Sequence, residues 1–111
     1  MARVSARTYS RYTRDALTLL GHLIRVARKE QKMTLQEVAD RVGISRGLLQ
    51  RIEKGDPRCE IGVAFEVAAI VGVHLFDGPA ALGTHLRHAE DKLALLPKSV
   101  RKTITVVDDD F

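Results

Sequence analysis

The sequence lacks most features of secreted, membrane and disulfide-stabilised proteins. Its 111 residues include one cysteine, three prolines and no tryptophan. The single cysteine, Cys59, cannot form an internal disulfide, which favours a reducing compartment. No apolar run approaches the roughly 20 residues of a membrane-spanning helix. We therefore expect a cytoplasmic protein that does not enter a membrane.

Catalytic motifs are missing as well. The sequence has no glycine-rich phosphate loop, no base paired in a motif with Cys59, and no carboxylate pair placed for acid-base chemistry. His85 and His88 lie three residues apart, but a zinc site needs further ligands at suitable spacing. We interpret these histidines as surface residues. The sequence predicts no enzyme activity, no metal and no cofactor.

Charge is unevenly distributed along the chain. Residues 1–58 hold thirteen lysines and arginines against six acidic residues, a net charge of +7. Residues 59–111 hold five against eight, a net charge of −3. This asymmetry is typical of a surface that faces phosphates and a separate surface that faces a partner. Scattered, solvated charge is the alternative interpretation.

Two short helices are indicated within TLQEVADRVGISRGLLQRIEK, which begins at Thr34. Thr34 and Glu37 have the spacing of a capping box, and Ser45 is a second N-cap eleven residues later. Gly43 and Gly55 follow the two apolar stretches, where glycine suits a left-handed helix end. Each helix is too short to be stable alone, so both must pack on neighbours.

The second short helix has one apolar and one polar side. The residues predicted to form the inner face of the helix pair are Val38, Ala39, Val42, Ile44, Leu49 and Ile52. The residues left on the outward side of the second helix are Arg46, Gly47, Gln50 and Arg51. Two short helices joined by a tight turn are typical of the helix-turn-helix motif, whose second helix enters the major groove of DNA.

The stretch MTLQEVADRVGISRGLLQRIEKG resembles the Xre and phage-repressor class of helix-turn-helix regulators, and the similarity continues through EIGVAFEVAAIVGVHLF to Phe76. The matching positions are Thr34, Glu37, Ala39, Gly43, Ser45, Glu53, Gly55 and Gly72. The resemblance implies an all-α, five-helix, lambda-repressor-like domain with an extra or extended C-terminal helix, a flexible basic N-terminal arm and an acidic C-terminal tail. It also implies a prokaryotic, nucleoid-associated protein.

We assign DNA contacts to two groups of residues. The candidate base-reading residues are Arg46, Gly47, Gln50 and Arg51: arginine pairs with guanine, glutamine with adenine, and glycine permits close approach. The candidate phosphate-binding residues are Gln36, Arg41, Ser45, Lys54 and Arg58. Members of the resembling family often have a glutamine where this chain has Leu35, with Gln36 next to it.

Apolar spacing also predicts helices on both sides of the motif. Leu17, Leu20, Ile24 and Ala27 form one stripe, so we predict a scaffold helix from about Thr13 to Lys32 with Thr13 as its N-cap. Residues 61–71 are almost wholly apolar, which predicts a central helix buried nearly all round. Phe76 is interpreted as an anchor of the core.

The predicted organisation has four parts: a basic arm at 1–12, the helix-turn-helix domain at 13–77, a helix at 78–96 and a tail at 97–111. The arm either follows DNA or serves only as a solubilising tail. The helix at 78–96 repeats apolar residues at intervals of four and three, which favours a dimer contact over internal packing. The predicted dimer seam consists of Leu82, Leu86, Ala89, Leu93 and Leu96.

The tail PKSVRKTITVVDDDF, which follows LALL, resembles the tails of HipB-type antitoxins, the DNA-binding partners of HipA-type kinase toxins. Its ITVV run suits a strand that is added to a partner's sheet edge. The candidate partner-binding residues are Val106, Asp108, Asp109, Asp110 and Phe111.

The resemblances together imply a homodimeric repressor that binds a near-palindromic operator in double-stranded DNA. They further imply that it is the antitoxin and autorepressor of a HipBA-like operon, with a HipA-type kinase as partner. The alternatives are a stand-alone Xre or phage-type repressor, and a protein-interaction module that keeps the helix-turn-helix as a scaffold.

Overall fold

A computed structural model describes residues 8–102, which form five α-helices and no strand. The helices are α1 (Arg11–Glu30), α2 (Leu35–Val42), α3 (Arg46–Glu53), α4 (Ile61–Val71) and α5 (Pro79–Leu95). The all-α prediction is confirmed, and the C-terminal helix α5 is itself the fifth helix. The chain divides between Leu75 and Phe76 into two compact units, so α5 is described separately from α1 to α4.

Helix α1 begins earlier than the sequence predicts. Its N-cap is Ser10, not Thr13, and the Ser10 hydroxyl accepts a hydrogen bond from the backbone amide of Thr13 at 3.2 Å. Thr13 therefore lies in the first turn. Serine and threonine are equally suitable caps, and the apolar stripe alone does not distinguish two candidates three residues apart.

The predicted ends of α2 and α3 are confirmed. The Thr34 hydroxyl accepts from the Glu37 amide at 3.0 Å, and the Glu37 carboxylate accepts from the Thr34 amide at 2.7 Å, which completes the capping box. Gly43 and Gly55 have φ angles of 83° and 80°, in the left-handed region that favours glycine. The chain can therefore reverse within a few residues after each short helix.

The core lies where α1, α2, α3 and α4 meet. Its fully buried apolar residues are Ile24, Val38, Ala39, Leu49, Ile52, Val67, Ala68 and Val71. Four of the six residues predicted for the inner face of the helix pair belong to this set. The other two, Val42 and Ile44, are partly buried and pack against it. The tight crossing of α2 and α3 is thus held by small and β-branched side chains.

Two predictions about burial are wrong. Helix α4 is not buried all round, because it packs on α1 and α2 through Val67, Ala68 and Val71 while the side chain of Ile61 is 73% exposed. Two neighbouring helices cover only one side of a third, however apolar its other side is. Phe76 is 61% exposed and does not anchor the core.

Two contacts fix α3 against α1. Gly21 lies so close to the end of α3 that a Cβ added to it would stand 2.8 Å from the carbonyl oxygen of Ile52. Arg28 and Glu53 form a buried ion pair between the same two helices. Because both contacts involve the last turn of α3, the direction of α3 is set by the scaffold helix.

The second unit contains α5. Gly78 is its N-cap and Pro79 its first residue, a position where proline costs no hydrogen bond. The His85 ring lies 3.1 Å from the Asp77 carboxylate. No residue of α5 is buried. The leucines of its apolar stripe are therefore exposed.

Candidate nucleic-acid interface

The outward side of α3 gathers all four predicted base-reading residues. Arg46, Gly47, Gln50 and Arg51 are exposed, whereas Leu49, Ile52 and Glu53 on the opposite side are buried. This division follows from the helical period of 3.6 residues, which returns every third or fourth side chain to the same side. The structure thus places the polar residues of α3 on one uninterrupted face.

The long side chains of this face are not held by hydrogen bonds or close ion pairs within residues 8–102, although the charge of Arg51 acts on Asp56 from a longer distance. Among residues 8–102, the side chains of Arg46, Gln50 and Arg51 make no hydrogen bond or ion pair. Exposed guanidinium groups with no internal partner remain available to the acceptor atoms of guanine or to phosphate. The face therefore has the donors that a nucleic acid requires and loses no internal contact by binding one.

Gly47 stands in open space. A Cβ added at this position would meet no atom of the chain within 4 Å. The fold itself therefore does not require glycine here. The absence of a side chain in the first turn of α3 leaves room for the close approach of an external surface.

The start of α3 presents backbone donors. Ser45 precedes the helix in an extended conformation, and its hydroxyl accepts from the Leu48 amide at 3.0 Å. The amides of the first turn also lie at the positive end of the helix dipole, which favours an anion. The Ser45 hydroxyl is occupied by the cap. The phosphate contact predicted for Ser45 therefore depends on the backbone amides at the start of α3 rather than on the Ser45 side chain.

Gln36 and Arg41 lie on α2 and are exposed. The Gln36 side-chain amide donates to the Asp40 carboxylate at 2.8 Å, between two residues that are one helical turn apart. Arg41 makes no side-chain contact of this kind within residues 8–102. The two predicted phosphate-binding residues therefore differ, because Gln36 would have to exchange an internal partner for a phosphate and Arg41 would not.

The loop after α3 holds a contact that the sequence analysis missed. Arg58 donates to Asp56 through Nε at 3.1 Å and Nη2 at 3.2 Å, and the Arg58 backbone amide donates to the same carboxylate at 2.9 Å. These hydrogen bonds from Arg58 lower the pKa of Asp56 below its ordinary value, and the same contact raises the pKa of Arg58. Arg58 therefore carries a partly neutralised charge.

Lys54 ends α3 and is exposed, and its ammonium group makes no contact with an acid among the described residues. Lys54 is closer in sequence than Arg58 to the base-reading residues, and no acid among the described residues pairs with it. The spacing of Asp56 and Arg58 across Pro57 was the only sequence signal of their pairing. Of the two predicted loop cations, Lys54 is the one that the fold leaves unpaired.

Cys59 lies in an apolar environment. It is partly buried and lines an apolar cavity of about 290 Å³ together with Leu17, Ile52 and Phe65. Burial raises the pKa of its thiol, which disfavours the reactive thiolate. Among residues 8–102, no group of three or more histidine, cysteine or acidic side chains is placed to hold a metal ion.

The predicted dimer seam lies on α5 and the residue after it. Leu82, Leu86 and Leu93 are 45%, 57% and 69% exposed, and Leu96 is 54% exposed. Ala89 is exposed as well. The candidate partner-binding residues at positions 106 and 108–111 lie outside the described residues. No helix within residues 8–102 has the length and apolar character to cross a membrane.

Comparison with known proteins identifies the region that carries this face. Residues 24–77 match the sequence profile of a helix-turn-helix family, a span that includes α2, α3 and α4 and the end of α1. Neither the curated proteins nor the solved structures gave a significant match to the chain.

Proposed function

We propose, from the match of residues 24–77 to the helix-turn-helix family of Xre and phage-repressor regulators, that the chain is a sequence-specific transcriptional repressor whose DNA-binding domain is this region. In this function α3 lies in the major groove and reads base edges, while the basic residues around it contact phosphates. Repression follows where the operator overlaps a promoter. The protein acts in the cytoplasm, where the nucleoid is.

One observation carries the proposal: the exposed face of α3 combines Arg46, Gln50 and Arg51, none of which makes a hydrogen bond or a close ion pair within the described residues. A surface that served only as a scaffold would not require two guanidinium groups without ion pairs and an amide beside a glycine that has open space around it. Bidentate pairing of arginine with guanine and of glutamine with adenine uses these donors directly.

The repressor acts as a homodimer through the α5 seam. The exposed leucines of α5 recur at heptad spacing. Two copies of α5 that pack along this stripe remove apolar surface from water. A two-fold dimer presents two copies of α3 to successive half-sites, about one turn of DNA apart. The operator is therefore a near-palindrome.

The finer assignment is an antitoxin that represses its own HipBA-like operon and binds a HipA-type kinase. It is supported by the similarity of the C-terminal sequence to HipB-type tails, in particular the ITVV run and the acidic end at positions 108–110. The alternative is a stand-alone repressor, which the same α3 face supports equally well.

DNA binding is tested by footprinting the full chain on the region upstream of its own gene, over a series of salt concentrations. A protected near-palindrome, lost in the double variant Arg46→Ala and Arg51→Ala, is the expected result. The control is the double variant Arg14→Ala and Arg25→Ala, which removes the same charge from exposed positions of α1. Equal loss in both variants would show that only net charge matters and would contradict base reading.

The antitoxin assignment is tested by purifying the untagged chain from its host and identifying what elutes with it. A stoichiometric kinase that is released when residues 103–111 are removed supports the assignment. A chain that elutes alone yet protects its operator is a stand-alone repressor.

A further inference from the structure

We propose that the outward side of α1 is a second contact between copies of this chain, formed by two α1 helices packed antiparallel about a two-fold axis. The contact is independent of the α5 seam and of DNA binding. The spacing of apolar residues in the sequence indicated only one stripe on α1, the one that is buried. The structure shows a second stripe that the core does not cover.

The second stripe recurs at intervals of four and three residues. Its larger members are Tyr12, Leu19, Leu23 and Val26, which are 82%, 57%, 44% and 52% exposed, and Ala16 completes the pattern. The spacing is that of a heptad seam, and it lies about a third of a turn around the helix from buried Ile24. Helix α1 thus packs on its own domain with one side and presents a second apolar side to solvent.

Charge complementarity identifies the occupant as another α1. Asp15, His22 and Lys29 lie seven residues apart along one border of the stripe, and all three are exposed. When two copies run antiparallel with Leu19 against the second copy's Leu23, Asp15 of each copy meets Lys29 of the other. The same register places Ala16 opposite Val26, with Tyr12 opposite Glu30 at each end of the contact.

The two-fold axis repeats the Asp15–Lys29 pair at both ends and brings the two copies of His22 together near the middle. A parallel pair would not do this. There, the border residues would face the opposite border of the stripe, which holds Thr13, Leu20 and Ala27 and carries no charge. The antiparallel arrangement is therefore the one that pairs the charges of this helix.

Neither Asp15 nor Lys29 is tied up inside the chain. Asp15 has only a long contact of 3.9 Å with Arg11, and both of those side chains are more than three-quarters exposed. Lys29 makes no side-chain contact with an acid among the described residues. The stripe shares no residue with the DNA-facing set on α2, α3 and the following loop.

The test measures the mass of the full chain by sedimentation equilibrium in a Leu86→Glu background, which removes any association through α5. The background protein is expected to remain a dimer, and adding Leu23→Glu should make it a monomer. A monomeric background protein would overturn the proposal. So would a dimer that Leu23→Glu leaves intact.

A charge exchange tests the register. In the same background, Asp15→Lys and Lys29→Glu each turn two attractive pairs into repulsive ones and should weaken the dimer roughly tenfold. The double variant restores opposite charges and should regain most of the lost affinity, although it keeps both local effects on the helix. Arg25→Glu, which makes the same charge change as Lys29→Glu away from the stripe, is the matched control. Failure of the double variant to recover would overturn the antiparallel pairing.

Discussion

Arg28 of α1 and Glu53 of α3 form a two-pronged ion pair inside the protein. Arg28 Nε donates to Glu53 Oε2 at 2.7 Å and Nη2 donates to Oε1 at 3.0 Å, while Nη1 donates to the carbonyl oxygen of Met33 at 3.0 Å. Both residues are only 7% exposed. The hydrogen bonds that Arg28 donates to Glu53 raise the pKa of Arg28 above its ordinary value. The pair therefore joins the scaffold helix, the turn before α2 and the end of α3.

Removing one member of this pair should destabilise the domain strongly. Glu53→Ala leaves a buried guanidinium without its carboxylate, and we expect a loss of about 3–5 kcal/mol in the free energy of unfolding. Replacing both members by apolar residues, as in Arg28→Met with Glu53→Leu, should recover most of that loss. Urea denaturation followed by circular dichroism measures both variants.

The exposed pair Arg11–Asp15 supplies the control for this prediction. Its atoms are 3.9 Å apart at the surface, so Arg11→Ala, which removes the pair without touching Asp15, should leave the midpoint of unfolding nearly unchanged. If Glu53→Ala were as mild as Arg11→Ala, the buried pair would not hold α3 to α1.

Gly21→Ala should also destabilise the contact between α1 and α3. The added Cβ would stand 2.7 Å from the Glu53 carbonyl carbon and 2.8 Å from the Ile52 carbonyl oxygen, and these backbone atoms cannot rotate away. The helices must separate, at a cost of roughly 1–3 kcal/mol typical of overpacking. Gly62→Ala in α4 is the matched control, since its Cβ would meet no atom within 4 Å. The difference in thermal midpoint between the two variants measures the effect.

Local signals in the sequence were sufficient for the helix-turn-helix. The capping box at Thr34, the cap at Ser45 and the glycine at Gly43 act within a few residues, so their spacing alone places α2 and α3. The outward face of α3 follows from the helical period once those ends are known. The fold and the candidate base-reading residues were predictable for this reason.

Contacts between distant residues were not predictable from spacing. Arg28 and Glu53 are 25 positions apart, and no pattern in a single sequence pairs them. The exposed stripe of α1 that contains Leu23 was not predicted, because two apolar stripes on one helix overlap in the sequence. The exposure of Ile61 depends on how many helices pack against α4, and the composition of α4 does not determine that number.

Arg51→Ala should change which DNA sequences are bound. Arg51 is exposed on α3 and makes no hydrogen bond or close ion pair within residues 8–102, so its loss should cost roughly 1–3 kcal/mol of binding free energy on the preferred operator and relax the preference at one base pair. Binding to a library of operator variants measures this. A uniform loss across all sequences would assign Arg51 to phosphate instead.

Arg58→Ala should weaken binding to every DNA sequence alike. A full phosphate contact contributes about one unit to the slope of log affinity against log salt. Because Arg58 is shared with Asp56, its loss should lower the slope by part of that unit. Fluorescence anisotropy on specific and unrelated duplexes over a range of salt concentrations provides the slope. An unchanged slope would place Arg58 outside the interface.

Asp56→Asn should strengthen binding to DNA, because Asp56 holds Arg58 and offsets its charge. In the wild-type chain the carboxylate accepts both guanidinium hydrogen bonds, and its lowered pKa shows that the ionised form is favoured there. The amide releases Arg58 toward phosphate, so affinity and the salt slope should both increase. Glu60→Gln, an exposed acid four residues later, removes the same charge without freeing a partner and should have a smaller effect. Because the gain requires the released guanidinium, Asp56→Asn should add little once Arg58→Ala is present. A gain of the same size in that background would trace the effect to net charge or to Arg51, whose charge also acts on Asp56.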